Sequence, residues 1–359
     1  MDMADPRIKK LANILTEHSV KIKKGDIINI NSGVEAKHLV LEVAKLILKK
    51  GALPRINLSL QEYPYMFFKY AKEDQLKRYP KITMYEVKNT QGFISIGTEY
   101  NTRELTSIHP KKLAIKRRAS KPVQDLIMKK KNWVICEYPT NALAQEADMS
   151  LNEFENFVFR ATNRNWKEEE KKQEKLKKLM DKTDRVRIVG KDTDLTFSIK
   201  DRPAKTCSGE FNMPDGEVFT SVVEDSTEGY IRYTYPVIRD GREVDDVQLW
   251  FSKGKVIKAK AKKNEKYLKE TLKTDKGSIT IGEFGIGFNY GIKKFIKNIL
   301  FDEKIGGTIH LALGQGYEET NSKNKSALHW DMIKDLRKGG EIYFDGKLIQ
   351  KDGKFLIKL

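Results

Sequence analysis

Residues 27–60 read IININSGVEAKHLVLEVAKLILKKGALPRINLSL, and this stretch decides the fold class of the first half of the chain. Ile27–Asn31 is a short β-branched run, as a strand requires. Asn31-Ser32-Gly33 predicts a turn. Glu35–Lys50 carries Leu39, Val43, Leu46 and Ile47 at three- and four-residue spacing, one face of a helix. Gly51 stops that helix, and Leu53–Leu60 returns to strand. A strand, a crossing helix and a second strand predict parallel pairing. The turn lacks both GxGxxG and GxxxxGK[ST], so it reads as a plain connection and not as a phosphate cradle.

Outward from this unit the pattern continues. Pro6–Ser19 is an expected helix, with Asp5 as its cap, Pro6 at its first position and Leu11, Ile14 and Leu15 on one face. Phe93–Gly97 and Trp133–Glu137 read as further strands, with a basic helix over Pro110–Lys130 between them. Ser150 and Glu153 form a capping box, followed by Phe154, Phe157 and Val158 on one face. That helix is expected to run on through the charged segment WKEEEKKQEKLKKLMDK as a solvated connector.

From Arg185 the texture changes. Short alternating runs at Arg185–Val189, Asp194–Ile199, Val218–Val223, Gly229–Tyr235, Val247–Ser252 and Lys255–Lys260 are separated by Pro, Gly and Asp turns; Glu265–Thr274 reads as a short helix. The expectation is α/β and α+β: an N-terminal parallel-sheet α/β domain over 1–183, ending in the charged helix, and a β-rich C-terminal catalytic domain over 184–359. The chain's 359 residues suit two domains of roughly 150 residues each.

Composition excludes several classes. No apolar run of ~18 residues is present to span a membrane, and MDMADPRIKK has no apolar core of a secretory signal. Cys136 and Cys207 form neither a CxxC pair nor a disulfide framework, so a reducing cytoplasm is the default expectation. The net charge of +18 raises nucleic acid as a partner. The lysines are scattered among acidic residues with no accompanying RNA-binding motif, so that partner is disfavoured.

The chemistry concentrates in residues 281–333, which hold His310 and His329 of the five histidines, with Glu283, Glu303, Tyr317 and Asp331 beside them. Ser278–Glu283 is an expected strand ending on Glu283, followed by a glycine turn and a helix over Ile292–Leu300. Gly285, Gly287 and Gly291 are spaced GxGxxxG, which does not match a dinucleotide fingerprint. Thr308–Leu313 is a strand with His310 and Ala312 on one face; Gly314 and Gly316 then bend the chain back to Tyr317. In the strand Ser326–Ile333, His329 and Asp331 are two apart and share a face. Upstream, the Pro214-Asp215-Gly216 turn delivers Glu217 to the start of a strand. Glu217, Glu283, Glu303 and Asp331 carry four negative charges, which two divalent ions would balance, and the two imidazoles add nitrogen ligands. Mixed N/O donors suit zinc, cobalt or manganese. On residues alone, a dinuclear hydrolase acting on a peptide, another amide or a phosphoester, and a basic nucleic-acid-binding module, all stay open.

The segments NMPDGEVFT, GEFGIG, LFDEKIGGTIHLALGQGY and LHWDMI, in this order, together with WVICEYPTNALAQEADMS in the first half, resemble the aminopeptidase T / aminopeptidase S family of metallopeptidases across essentially the whole chain. The resemblance implies a metal-dependent aminopeptidase acting on peptides. It matches Glu217, Glu283, Glu303, His310, His329 and Asp331 to metal ligands, with Glu283 shared between two ions, and Tyr317 to a catalytic tyrosine. It also implies a homodimer whose active site faces an internal cavity. Two departures stand out. The spacer KIGGTI between Glu303 and His310 is longer than in bacterial members, and GQG precedes Tyr317 where an Arg-Ala pair is commoner.

Overall fold

The computed structural model describes residues 5–239 and 241–359. The chain forms two compact units. One comprises residues up to 164 together with 209–214, the other residues 165–208 and 215–359.

The first unit is built on a five-stranded sheet in the order Leu53–Ser59, Ile27–Gly33, Gly92–Gly97, Trp133–Glu137, Asn212–Met213. Every pairing in it is parallel, as the strand–helix alternation predicts. Ile28, Ile30, Ile94 and Val134 are buried in its centre, the apolar run expected of strands covered on both faces. The helix Lys37–Lys49 buries Leu39, Val40, Val43 and Ile47. The anticipated turn at residues 31–33 is the end of the strand; the chain turns later, through a 3-10 segment at Val34–Ala36. Pro6–Asn13 is helical with the Asp5 carboxylate accepting from the Arg7 N–H at 2.7 Å, and a wider π-turn continues to Ser19. Three short helices, Tyr63–Tyr70, Glu73–Lys77 and Lys81–Asn89, were not legible in the pattern.

The capping box forms as expected: Glu153 accepts from the Ser150 N–H at 2.9 Å, and Ser150 Oγ accepts in return from Glu153 N–H. The helix does not run on. It ends at Thr162, and a separate helix spans Trp166–Met180. Asn163 leaves helical geometry and donates its side-chain amide to the Arg7 carbonyl at 2.9 Å, which diverts the chain. The second helix is not wholly solvated: Leu176 and Met180 enter the core of the second unit.

The second unit contains an eight-stranded sheet, in the order Lys255–Lys260, Gln248–Ser252, Glu228–Arg232, Thr193–Ser198, Arg185–Gly190, Glu341–Phe344, Lys347–Lys351, Lys354–Phe355, and a five-stranded sheet in the order His329–Asp335, Thr308–Gly314, Ile281–Gly287, Glu217–Thr220, Lys205–Cys207. Both are antiparallel throughout. One hydrophobic cluster takes Val186, Ile188, Leu195 and Phe197 from the first sheet and Phe284, Ile286, Leu311, Leu313 and Met332 from the second. Phe197 and Phe284 meet edge to face, 5.0 Å between ring centres. Glu283 is not at a strand end, and no helix covers 292–298. The strand runs on to Gly287, and only Ile299–Asp302 is helical. The glycines stay extended because the strand is paired on both sides, and side chains are excluded there by the His310 ring at Gly285 and the Ile305 carbonyl at Gly287. Among the described residues no helix is long and apolar enough to cross a membrane.

The contact between the sheets gives a first prediction. Phe197→Ala removes a fully buried ring and is expected to destabilise the protein by about 3–5 kcal/mol. Urea denaturation checks this, and a loss below about 1 kcal/mol would show that the sheets are held elsewhere.

Candidate metal centre

Strand alternation sorts the five-stranded sheet into two faces. Val218, Phe284, Ile286, Leu311, Leu313 and Met332 enter the core. The intervening residues, Glu217, Glu283, Gly285, His310, Ala312, His329 and Asp331, share the opposite face. Register brings them across from one another: Gly287 opposes Glu217, Glu283 and Asp331 both oppose Ala312, and Gly285 opposes His310. Ala312 and Gly285 are the small residues between the larger donors. A Cβ on Gly285 would collide with the His310 imidazole, so glycine there allows the ring to lie across the sheet.

Glu217 is delivered by the predicted Pro-Asp-Gly turn. Gly216 sits at φ +118, in the region that favours glycine, and a Cβ there would lie 2.9 Å from Asn289 Cβ. Asn289 donates its side-chain amide to the Asp215 carbonyl at 2.8 Å and fixes the turn. Glu303 comes from a different segment, just beyond the short helix whose first turn Asn298 caps at the Leu300 N–H, 3.1 Å away.

The resulting cluster holds all six residues matched to ligands. His310 Nε2 lies 3.2 Å from Glu217 Oε2 and 3.4 Å from Glu283 Oε1; His329 Nε2 lies 3.5 Å from Glu283 Oε2 and 3.3 Å from Asp331 Oδ2. Glu283 thus presents one oxygen to each imidazole. Three groups offer ligand atoms within 4.8 Å of one another: Glu217, Glu283 and His310; Glu283, His329 and Asp331; and Glu303, His310 and Asp331. Glu303, set apart in sequence by its long spacer, is therefore brought to the same place. His329 Nδ1 is 2.8 Å from the Gln315 carbonyl. A carbonyl only accepts, so Nδ1 carries a proton and Nε2 is the nitrogen turned toward the carboxylates, where a cation would take the place of the second proton.

The electrostatics show a cluster that demands positive charge. Burial pulls the His310 imidazolium down, but Glu283 and Glu217 outweigh it and raise its pKa to about 9. At His329 burial is likewise overcome, chiefly by Asp331, and the pKa rises to about 10. Asp331 falls to about 2, burial being outweighed by His329. Burial raises Glu283 despite His310, and raises Glu303 to about 7 despite Lys304. Glu217 Oε2 is buried without a hydrogen-bond partner. Buried carboxylates, one with an unsatisfied oxygen, and imidazole Nε2 atoms turned toward them fit a divalent cation bound by mixed N/O ligands in place of the imidazole protons.

Tyr317 stands at the rim, 43% exposed, with its ring between Phe219 and His329 at 5.4 and 5.5 Å. Its hydroxyl is held protonated, first by burial and then by the surrounding carboxylates. Three further residues join the cluster that sequence reasoning did not single out as donors. Lys304 Nζ lies 2.5 Å from Glu217 Oε1 and 2.7 Å from Glu303 Oε1. Asp215 and Cys207 each offer a ligand atom within 4.8 Å of Glu217. The available signals were weak: Asp215 is two residues from Glu217, and Lys304 follows Glu303.

Two imidazoles and three carboxylates on one face of a buried antiparallel sheet, with Glu303 added from a neighbouring segment, are the equipment of a metal-dependent hydrolase. Residues 4–355 match the thermophilic metalloprotease (M29) family, and the chain belongs to that family of peptidases. It is 25% identical to aminopeptidase AmpS of Bacillus subtilis, over 93% of this chain and 90% of the relative. To aminopeptidase 2 of Geobacillus stearothermophilus it is also 25% identical, over 91% and 88%. The solved structure of wild-type AmpT from Thermus thermophilus has the same fold, with a TM-score of 0.87 over 98% of this chain and 99% of that one, at 20% identity.

The packing of Gly285 against His310 gives a second prediction. Gly285→Ala is expected to turn the imidazole and weaken binding of added zinc about 10–100-fold, with the fold retained by circular dichroism. Unchanged zinc affinity by titration calorimetry would remove His310 from the metal centre.

Proposed function

We propose that this protein is an aminopeptidase that releases N-terminal amino acids from peptides, using a water activated between two divalent metal ions. The observation that carries the reading is Glu283, whose two carboxylate oxygens face the imidazoles of two different ligand groups. The names of the full-length relatives, aminopeptidase AmpS and aminopeptidase 2, support the substrate class.

Glu217 and His310 would hold one ion, His329 and Asp331 the other, with Glu283 shared and Glu303 added beside His310 and Asp331. Zinc, cobalt and manganese all suit these donors. When bound, such ions polarise a substrate carbonyl and lower the pKa of a shared water. The protein's own groups do the rest. Glu283 or Glu217, whichever keeps an oxygen free of the ions, would accept the water's proton. Tyr317, kept protonated at the rim, donates a hydrogen bond to the oxygen on which charge develops. The Gln315 carbonyl fixes the tautomer and orientation of His329. Glu217, Glu283 and His310 are buried, which strengthens each of these interactions.

Hydrolysis of aminoacyl reporter substrates, with and without added metal, tests the reading. Tyr317→Phe is expected to lower turnover about 10²–10³-fold with unchanged metal content. Exhaustive chelation should abolish activity, and adding back zinc, cobalt or manganese should restore it. Full activity after chelation would overturn the metal mechanism. The homodimer implied by the family resemblance is expected in solution; a single-chain mass by light scattering would remove it.

A further inference from the structure

Lys304 is the one ammonium inserted among the carboxylates of the cluster, as the described residues show it. It is 1% exposed, and its Nζ is 2.5 Å from Glu217 Oε1, 2.7 Å from Glu303 Oε1 and 3.9 Å from Asp215 Oδ1. The ammonium also occupies a particular place. Cys207, Asp215 and Glu217 offer ligand atoms within 4.8 Å of one another, a fourth potential ligand group beside the three described above. Two of its three members, Asp215 and Glu217, already face Lys304 Nζ.

The formal charges agree with this placement. Asp215, Glu217, Glu283, Glu303 and Asp331 are five carboxylates, and the ammonium leaves four negative charges uncompensated. Two divalent ions neutralise four; without Lys304 one carboxylate charge would be left over, in a volume where unpaired charge is costly. Glu217 presents its other oxygen to His310 at 3.2 Å, so the same carboxylate is shared between the lysine and the ligand group.

We infer that Lys304 is a positioning residue that serves as a resident cation. It holds Glu217 and Glu303 toward the two-ion centre and fills the place beside Cys207 and Asp215 where a further divalent ion would otherwise bind. The inference rests on the two-metal reading of the site. It assigns Lys304 no contact with substrate. Its role is to set metal stoichiometry, keeping a thiol-containing position closed to soft metal ions that would compete with the intended pair.

Cadmium, which forms a thiolate bond with a characteristic ultraviolet charge-transfer absorption, is the probe, used on the full chain. The wild type in excess cadmium is expected to bind about two ions and to give the same spectrum as Cys207→Ser. Lys304→Met is expected to take up about one more and to gain a thiolate–cadmium band that disappears in the Lys304→Met, Cys207→Ser double variant. Lys304→Arg retains the charge and should return to the wild-type stoichiometry without the band. A Lys304→Met protein with wild-type stoichiometry and no band would overturn the inference, as would a Cys207-dependent band in the wild type. If Lys304→Met does not fold, the comparison of wild type with Cys207→Ser decides: a Cys207-dependent band refutes, and its absence with two ions bound supports. A wild type that binds no metal at all would instead refute the two-metal reading on which the inference rests.

Discussion

Glu283 lies between two imidazoles at the centre of a sheet face that also carries Glu217 and Asp331, with Glu303 reaching in from a neighbouring segment. Like charges at such spacing repel by about 4 kcal/mol per pair near 4 Å, at an effective dielectric of about 20. A fold that gathers several of them therefore needs positive charge in the same volume. Within the chain that charge comes from Lys304 and from the two histidines, whose pKa values are raised to about 9 and about 10 by the carboxylates beside them. The rest of the site follows from this constraint. The donors must be packed closely enough to share cations, and the backbone must be stiff enough to stop them from separating.

The stiffness comes from the sheet. Each donor strand is paired on both sides or joined to one that is, and the face beneath the donors is anchored by Phe284, Leu311, Leu313 and Met332 in one core with the larger sheet. Carboxylates on such strands cannot move apart without breaking a ladder of hydrogen bonds and exposing apolar surface. The donors that are not in mid-strand have their own supports. The turn before Glu217 is held by Asn289, and Glu303 follows a capped helical turn. Tyr317 and His329, at the more exposed rim, are steadied by ring contacts and by the Gln315 carbonyl.

Some residues misled the pattern reading for identifiable reasons. Gly285 and Gly287 looked like a turn because glycine usually breaks a strand. They continue one because the strand is paired on both sides, and they are glycine because His310 and the Ile305 carbonyl occupy the space above them, a neighbourhood made by strands distant in sequence. The helix from Ser150 appeared to run through the charged segment because nothing local forbids it; Asn163 ends it through a hydrogen bond to a residue more than 150 positions away.

What the sequence by itself determined was whatever depends on local periodicity and short-range chemistry. The parallel α/β character of residues 27–137, the capping box at Ser150, the shared face of His329 and Asp331, and the glycine turn that delivers Glu217 all follow from spacing along one segment. The family motifs extended this reading to roles for particular residues. Only the tertiary structure decided which segments meet. It set the order of the five-stranded sheet, brought Glu303 beside His310 despite its long spacer, and placed Lys304 and Cys207 next to Glu217. The physical reason is that strand alternation fixes the face a side chain takes, whereas its neighbours across the sheet depend on register and on the burial of a core assembled from the whole second unit.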